Sequence, residues 1–315
     1  MLPVFNGVEF LQQQITSILT QTHSDYELLI YDDGSRDGSP DLLRIIAATD
    51  PRIRLLGSRT NLGQQSALRH LLAKASGRYL MFSDQDDIWH PRKIEVLFAT
   101  IGNASLSYGA SHLVDQEGQE IGKTVFDFVG PPIDGSDRIE FLFRSIVSGH
   151  AMLVQREVVD AEVFVCGTHY DWLIAVLATF SAGVVYAPDA ITYHRQHARN
   201  QLNNFGRSAE GRPEPRQSKR QHRIMRIYDA LSVLRMATTV SEQKRVAFNH
   251  LYRVLRNEII LGVSSAIYNK KFELAFTEAL NALNIPEVER RRVHKPIMKI
   301  CRGPMHPKTI RDALF

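Results

Sequence analysis

YELLIYDDGSRDGSPD, residues 26–41, is the stretch on which the fold turns. Its first six residues form a short, nearly unbroken apolar run, the pattern of a strand buried on both faces of a parallel sheet. The run stops at Asp32-Asp33-Gly34-Ser35, and Ser39-Pro40-Asp41 then opens a helix. Serine can cap, proline suits the first turn, and aspartate meets the positive end of the helix dipole. This unit of strand, acidic turn and helix repeats on either side. Upstream, Pro3-Val4-Phe5 ends a strand, and Val8, Leu11, Ile15, Ile18 and Leu19 share one helical face. Downstream, residues 53–56 read as a strand, 64–74 as a helix and 79–82 as a strand, and His90-Pro91 opens the next helix. The alternation predicts an α/β domain with a mostly parallel sheet sandwiched by helices. In such sheets ligands bind beyond the carboxyl ends of the strands. Asn6, Asp33 and Asp84-Gln85-Asp86-Asp87 each follow a strand directly, so one edge should collect them.

Past residue 105 the pattern changes. Residues 107–114 and 119–124 flank Asp115-Gln116-Glu117-Gly118, a turn suited to a hairpin. Residues 137–146 read as a helix, 151–155 as a strand, 170–179 as a helix, and 184–186 and 191–194 as two short strands. Residues 200–218 are rich in Gly, Pro, Asn, Arg and Gln, the composition of a linker or mobile loop. Three helices with basic exposed faces are expected over 223–237, 241–268 and 272–283. The expected division is a catalytic domain over 1–200, a linker over 201–218 and a basic helical C-terminal region over 219–315.

Of the 315 residues 44% are hydrophobic and 23% charged, the proportions of a soluble globular protein. Two distant cysteines, Cys166 and Cys301, exclude a disulfide framework and suit a reducing cytoplasm. The net charge of +4 is unevenly spread: residues 1–200 hold 16 Lys and Arg against 24 Asp and Glu, and the remainder 22 against 10. Met1-Leu2-Pro3 runs straight into Phe5-Asn6-Gly7 without the basic and apolar segments of a signal peptide. Residues 172–188 are uncharged, yet shorter than the roughly 20 apolar residues a membrane span needs. A buried helix and strand are expected there.

Asp84, Asp86 and Asp87 repel one another and stay charged only if solvated or met by a cation. Mg2+ and Mn2+ take oxygen ligands and often join one or two carboxylates to substrate phosphates. Taken alone, the run is an acidic turn or part of a cation site. Asp32-Asp33-Gly34-Ser35 is likewise a plain Asp-Gly turn or part of the same edge.

Four segments in order narrow the choice: Pro3-Val4-Phe5-Asn6-Gly7, residues 32–39, Asn61-Leu62-Gly63, and Phe82-Ser83-Asp84-Gln85-Asp86-Asp87-Ile88-Trp89. Together they resemble the family 2 inverting glycosyltransferases, which have the Rossmann-like GT-A fold. The resemblance is strong over residues 1–100 and fair to about residue 200. Asp84 to Trp89 with Lys93-Ile94 after it is most similar to the bacterial rhamnosyltransferase-like branch that builds surface polysaccharides. The resemblance implies transfer, with inversion, of a sugar from dTDP-rhamnose or a UDP-sugar to a hydroxyl of a glycan or lipid-linked acceptor. Mn2+ or Mg2+ is the implied cofactor. Pro3, Phe5, Asn6 and Asp33 would hold the nucleoside, with Asp33 receiving the pyrimidine N–H. Asn61 would sit near the base or ribose, Asp84 near the ribose, and Asp86 on the metal.

By the same resemblance, Asp171 in His169-Tyr170-Asp171-Trp172 matches the family's general base at a helix start; capping that helix is its other reading. Residues 193–200 are similar to the branch's late Tyr-Arg-x-His-x-x-Asn segment. That makes His197 a further metal ligand and Arg195 or Arg199 a diphosphate contact, which a guanidinium suits. His150 falls where acceptor contacts are expected. The family carries several apolar residues ahead of this turn, whereas only Met1 and Leu2 precede Pro3 here, so either the start is misplaced or the first strand is clipped. The Gln-x-x-Arg-Trp motif of processive polymer synthases is absent.

Three other readings compete. A nucleotide-sugar pyrophosphorylase should carry a Gly-rich, basic loop after the first strand, which Phe5-Asn6-Gly7-Val8-Glu9 is not. A nucleic-acid binder would suit the basic tail, but no recognised binding motif supports it. A non-catalytic nucleotide binder would not need Asp33, Asp86 and Asp171 together. The basic C-terminal region better suits anionic lipid headgroups at the inner face of a membrane.

Overall fold

The computed structural model describes residues 1–58, 60–164, 169–197 and 226–261, together with 274, 276–278, 280 and 281. The chain divides into two compact units, one of Met1–Ser136 with Arg144–Arg199, the other of Asp137–Phe143 with Asn200–Phe315. Among the described residues no helix is long and apolar enough to cross a membrane.

In the first unit, β1 (Leu2–Val4), β2 (Leu28–Asp33) and β3 (Ile53–Ser58) form a parallel sheet in that order. The connecting helices are α1 (Val8–Leu19), α2 (Ser39–Ala47) and α3 (Gln64–Lys74). After them come β4 (Tyr79–Met81), the two-residue β5 (Ile88–Trp89) and α4 (Lys93–Ile101). Leu11, Ile15 and Ile18 of α1 share one core with Leu43 and Ile46 of α2, Ile94 of α4, and Leu2, Val4, Leu28 and Ile30 of the sheet. Each such side chain removed from water contributes roughly 1.5–3 kcal/mol. Met1 joins β4 to the edge: its amine donates to the Met81 carbonyl (2.8 Å) and its carbonyl accepts from the Ser83 N–H (3.0 Å).

Beyond β4 the sheet becomes mixed. β6 (Leu106–Val114), β7 (Glu120–Thr124), β8 (Met152–Gln155) and β9 (Val184–Arg195) complete a sheet ordered β4-β8-β6-β9-β5, with β7 paired to β6. β6 and β9 run parallel, and the other pairs run antiparallel. A short α5 (Phe126–Val129) follows the hairpin. In α6 (Tyr170–Phe180) every residue from Trp172 to Phe180 is buried. This is the buried helix that its uncharged sequence predicts.

The structure departs from the sequence reading in three places. Residues 137–146 are not one helix but hold only the 3-10 turn Ile139–Leu142. Asp137 stands at φ 57°, a left-handed conformation from which a right-handed helix cannot propagate. The helix expected from His90 starts at Lys93, because Ile88 and Trp89 pair with Tyr193 and Thr192. The two short strands over 184–194 are one strand with a bulge. Gly109 pairs with Ala187 and Ala110 with Ile191, so Pro188, Asp189 and Ala190 are the extra residues. Proline, with no N–H to give a neighbour, belongs at such a bulge.

In the second unit, residues 226–234 are helical and a second helix spans Glu242–Leu261. Leu231, Leu234, Phe248, Leu251, Phe276 and Leu280 are buried. Tyr228 and Tyr252 stack at 4.8 Å and share a 2.7 Å hydrogen bond between hydroxyls. The expected linker, 201–218, lies outside the described residues, as does most of 262–315.

Gly109 makes the bulge possible, since a Cβ there would lie 1.8 Å from the Ala190 carbonyl oxygen. Both partners are backbone and cannot swing aside. Gly109→Ala should therefore destabilise the fold by more than about 1 kcal/mol, as overpacking a tight contact does. Urea unfolding measures it, and an unchanged midpoint would refute this register.

Candidate active site

The loops that end β1, β2 and β4 are stitched to one another before any ligand is considered. Asn6 turns the chain out of β1 at φ 49°. Its N–H donates to Ser35 Oγ (2.9 Å) and its Oδ1 accepts the Arg36 N–H (2.8 Å). The Gly7 N–H donates to Ser39 Oγ (3.0 Å) and the Val8 N–H to Asp37 Oδ2 (3.1 Å). Ser39 thus does not cap α2 with its side chain; it holds the β1 loop, and Asp37 Oδ1 accepts the Ser39 N–H instead (2.9 Å). Phe5 gives its N–H to Gln85 Oε1 (2.9 Å), and Gln85 Nε2 donates back to the Phe5 carbonyl (3.2 Å). The Phe5 ring stays 42% exposed, and Pro3 lies opposite Tyr31 in the β1–β2 register.

Asp33 is buried, and each carboxylate oxygen accepts a backbone N–H, from Leu62 and from Gly63 (both 2.8 Å). Asn61 Oδ1 accepts the same Gly63 N–H (3.0 Å). Asp33 and Asn61 therefore shape one loop, and each Asp33 oxygen keeps a second lone pair for a ligand.

At the end of β4 the three carboxylates part ways. Asp84 remains open, accepting Gln64 Nε2 (3.3 Å) and facing His150 Nδ1 (3.2 Å). Asp86 Oδ2 lies 2.8 Å from His197 Nε2. Burial pushes the Asp86 carboxyl above its ordinary value, Asp87 and Asp84 push it further, and His197 opposes them. Asp87 is wholly buried, with Oδ1 2.8 Å from His194 Nδ1 and Oδ2 3.4 Å from His150 Nδ1. Burial alone would raise the Asp87 carboxyl, but His150, His194 and Lys93 outweigh it and hold it well below the usual range. His194 answers in kind: burial lowers it, yet Asp87, with Asp84 and Asp86 behind, lifts it to about 9. The Lys93 amine, also fully buried, donates to the His150 carbonyl (2.5 Å) and sits 3.6 Å over the Trp89 ring; burial pushes the amine well below its ordinary value, against Asp87 and Asp84. The sequence marks Lys93 only as part of a motif and gives no sign of His194 at all.

The second half of the unit contributes Asp171, His150, Arg195 and His197. Asp171 is the second residue of α6; Oδ1 accepts the Trp172 N–H (2.8 Å) and Oδ2 the Gly149 N–H (3.2 Å). Its carboxylate therefore answers amides near the helix start, although His169 holds the N-cap position. Burial raises the Asp171 carboxyl above its ordinary value; His169 and the two N–H groups oppose this, and Asp84 adds to it.

Arg195 is not open to a diphosphate. It is 1% exposed, and its guanidinium donates to the Asp86 carbonyl (3.0 Å), the Gln116 carbonyl and Gln13 Oε1 (2.6 Å). It also lies 4.7 Å over the Phe10 ring, whose centroid is 5.1 Å from the His197 ring. His150 is likewise no acceptor contact in this arrangement: it is buried, with Nδ1 on Asp84 and Nε2 2.9 Å from Ser111 Oγ. Arg199 lies outside the described residues.

A profile of glycosyl transferase family 2 matches residues 1–162. The chain belongs to this family. Among its relatives, the putative teichuronic acid biosynthesis glycosyltransferase TuaG of Bacillus subtilis is 31% identical over 125 residues, covering 39% of this chain and 50% of TuaG. The UDP-Glc:alpha-D-GlcNAc-diphosphoundecaprenol beta-1,3-glucosyltransferase WfgD of Escherichia coli is 33% identical over 116 residues, 36% of this chain and 45% of WfgD. The matched region thus spans about half the length of both. Among solved structures, Staphylococcus aureus TarS 1–349 with UDP-GlcNAc superposes with a TM-score of 0.58 at 12% identity, covering 99% of this chain and 87% of that one. At that identity the likeness shows the fold: this family 2 chain has the GT-A architecture.

Among the described residues, one cluster has the spacing of a divalent-ion site and one further pair faces across the acidic edge. Asp87, His150 and His194 offer atoms within 4.8 Å of one another, all buried. There, however, a cationic His194 already balances Asp87. Asp86 and His197 have side chains 19% and 10% exposed, and their facing atoms are as far apart as two ligands of one ion. The repulsion on Asp86 is the kind a cation relieves.

The Asp87–His194 pair has a pH signature. The Asp87 contribution to stability is complete above its ordinary 3.8 and fades as pH falls through its lower folded value. The His194 contribution is complete below its ordinary 6.5 and fades as pH rises through about 9. Urea unfolding should show stability falling between pH 6.5 and 9, and His194→Gln should flatten that slope. An equal slope in both proteins would refute the pairing.

Arg195 gives a separate check. Arg195→Lys should cost at least about 2 kcal/mol, because one ammonium cannot span three acceptors and buried acceptors are left unmet. Thermal unfolding of the variant measures this.

Proposed function

We propose that this chain is an inverting, metal-dependent glycosyltransferase that moves a sugar from a nucleoside-diphosphate sugar to a hydroxyl of a glycan or lipid-linked acceptor in cell-surface polysaccharide synthesis. The observation that carries the reading is Asp86 facing His197 beside the open Asp84, at the carboxyl edge where the Asn6 and Asp33 loops also end. UDP appears both in the name of WfgD and in the TarS complex, which favours a UDP-sugar over dTDP-rhamnose as donor. The names of TuaG and WfgD favour a surface polymer or its lipid-linked precursor as acceptor.

In this reading the exposed Phe5 ring, Pro3, Asn6 and the free lone pairs of Asp33 receive the nucleoside, with Asn61 beside it and Asp84 at the ribose. Asp86 and His197 hold Mn2+ or Mg2+, which supplies the positive charge a departing diphosphate needs. Asp171 takes the proton of the acceptor hydroxyl as that oxygen bonds to the anomeric carbon. The bond from that carbon to the diphosphate oxygen breaks on the opposite side, and the configuration inverts. A carboxyl raised by burial is a stronger base than a solvated aspartate, which suits this role. The basic residues beyond position 200 rest on anionic lipid at the inner membrane face, where a lipid-linked acceptor resides.

Calorimetry and turnover against UDP-, dTDP- and GDP-sugars, with and without Mn2+, test the reading. Asp86→Ala should abolish metal-dependent turnover. Asp171→Asn should bind donor as before yet transfer about 100- to 10,000-fold more slowly, the usual contribution of a general base. Normal transfer by Asp171→Asn would overturn the choice of base.

A further inference from the structure

We propose that His150 is a positioning residue that ties the donor-side carboxylate Asp84 to the Asp171 carboxylate, so that both halves of the site keep one geometry. The inference rests on Asp171 being the general base.

The tie is a single turn, Gly149–Ala151, between α6 and the β4 loop. On one side the Gly149 N–H donates to Asp171 Oδ2 (3.2 Å). On the other, one residue along, His150 Nδ1 lies 3.2 Å from Asp84 Oδ2. Two adjacent residues thus hold two carboxylates whose sequence positions differ by 87, and neither can move without drawing the other.

The turn itself has little freedom. The His150 ring stacks on His194 at 4.5 Å and 18°, and its Nε2 is fixed by Ser111 Oγ at 2.9 Å. Lys93 Nζ anchors its carbonyl at 2.5 Å. Gly149 is pressed so close to Tyr170 that a Cβ would lie 2.2 Å from the phenol oxygen. A ring held by His194 and Ser111, on a backbone held by Lys93 and Tyr170, transmits position rather than absorbing it. It is 4% exposed, so it acts through Asp84 and not by touching substrate.

The two amide replacements separate this role from general packing. Asparagine places its amide nitrogen near the Nδ1 position, so His150→Asn can keep the Asp84 bond. Glutamine reaches the Nε2 position, so His150→Gln keeps Ser111 and loses Asp84. His150→Gln should lower kcat at least about 10-fold and raise the KM for the UDP-sugar at least about 3-fold, as misplacement of reacting groups does. His150→Asn should restore both to within about 3-fold of the parent. A packing role alone would lower the active fraction of both variants equally and leave KM unchanged, and that result overturns the proposal.

Should either variant fail to fold, the parent protein still decides. Its His150 ring 15N resonances should move when UDP and the diamagnetic Mg2+ bind, and fixed resonances overturn the proposal. Asp171→Asn separates the two claims. If it transfers normally, the choice of base has failed; if it is inactive while the two His150 variants behave alike, only the positioning role has failed.

Discussion

The buried contact between Asp87 and His194 is the constraint on which the rest of the site depends. Three aspartates cannot crowd the end of one strand unless something removes their mutual repulsion. Asp87 is turned inward and met by His194, with His150 and Lys93 close behind. That leaves Asp84 and Asp86 on the open side. Were Asp87 turned out to solvent, β4 would end in an acidic turn with nothing to fix its directions. Removing one member of such a set is costly because it strands the other charges out of water.

Around this anchor the loops are joined mainly by backbone amides donating to side chains of the next loop. Phe5 and Gln85, Asn6 and Ser35, Gly7 and Ser39, and Asp33 with Leu62 and Gly63 form an interlocked set. Each bond adds only about 1 kcal/mol. Their effect is to stop three strand ends from moving independently, which is what a nucleotide-sized ligand touching all three requires. Gly7 belongs to this arrangement, since a Cβ there would lie 2.5 Å from Gln85 Oε1.

Much of this is legible in the sequence, and the misread side chains share a cause. Local patterns carry the strands, the first three helices and the acidic edge, because periodicity and turn residues act over a few positions. Arg195 could not be read that way. A guanidinium after a strand looks the same whether it faces a diphosphate or a carbonyl, and its partners Asp86, Gln116 and Gln13 lie 79 to 182 positions away. His150 was read as an acceptor contact for the same reason. Ser39 sits where a cap belongs, yet its hydroxyl goes to Gly7, 32 positions upstream. The helix expected over 137–146 failed for a local reason: Asp137 adopts a positive φ that composition alone does not reveal.

The electrostatics also bear on the order of events at the site. Burial, Asp87 and Asp84 push the Asp86 carboxyl toward its neutral form. A diphosphate brought alone to this edge would add negative charge where charge is least tolerated. On the proposed reading a divalent cation would lower that barrier for both, so ion and donor would strengthen one another's binding rather than compete. Asp171 feels the same field more weakly, through Asp84. Its raised carboxyl is useful only while the site stays closed to water, because a solvated aspartate is a poor base at neutral pH. If Asp171 is the base, as proposed, its half-buried position against Gly149 matters to the chemistry as much as its identity does.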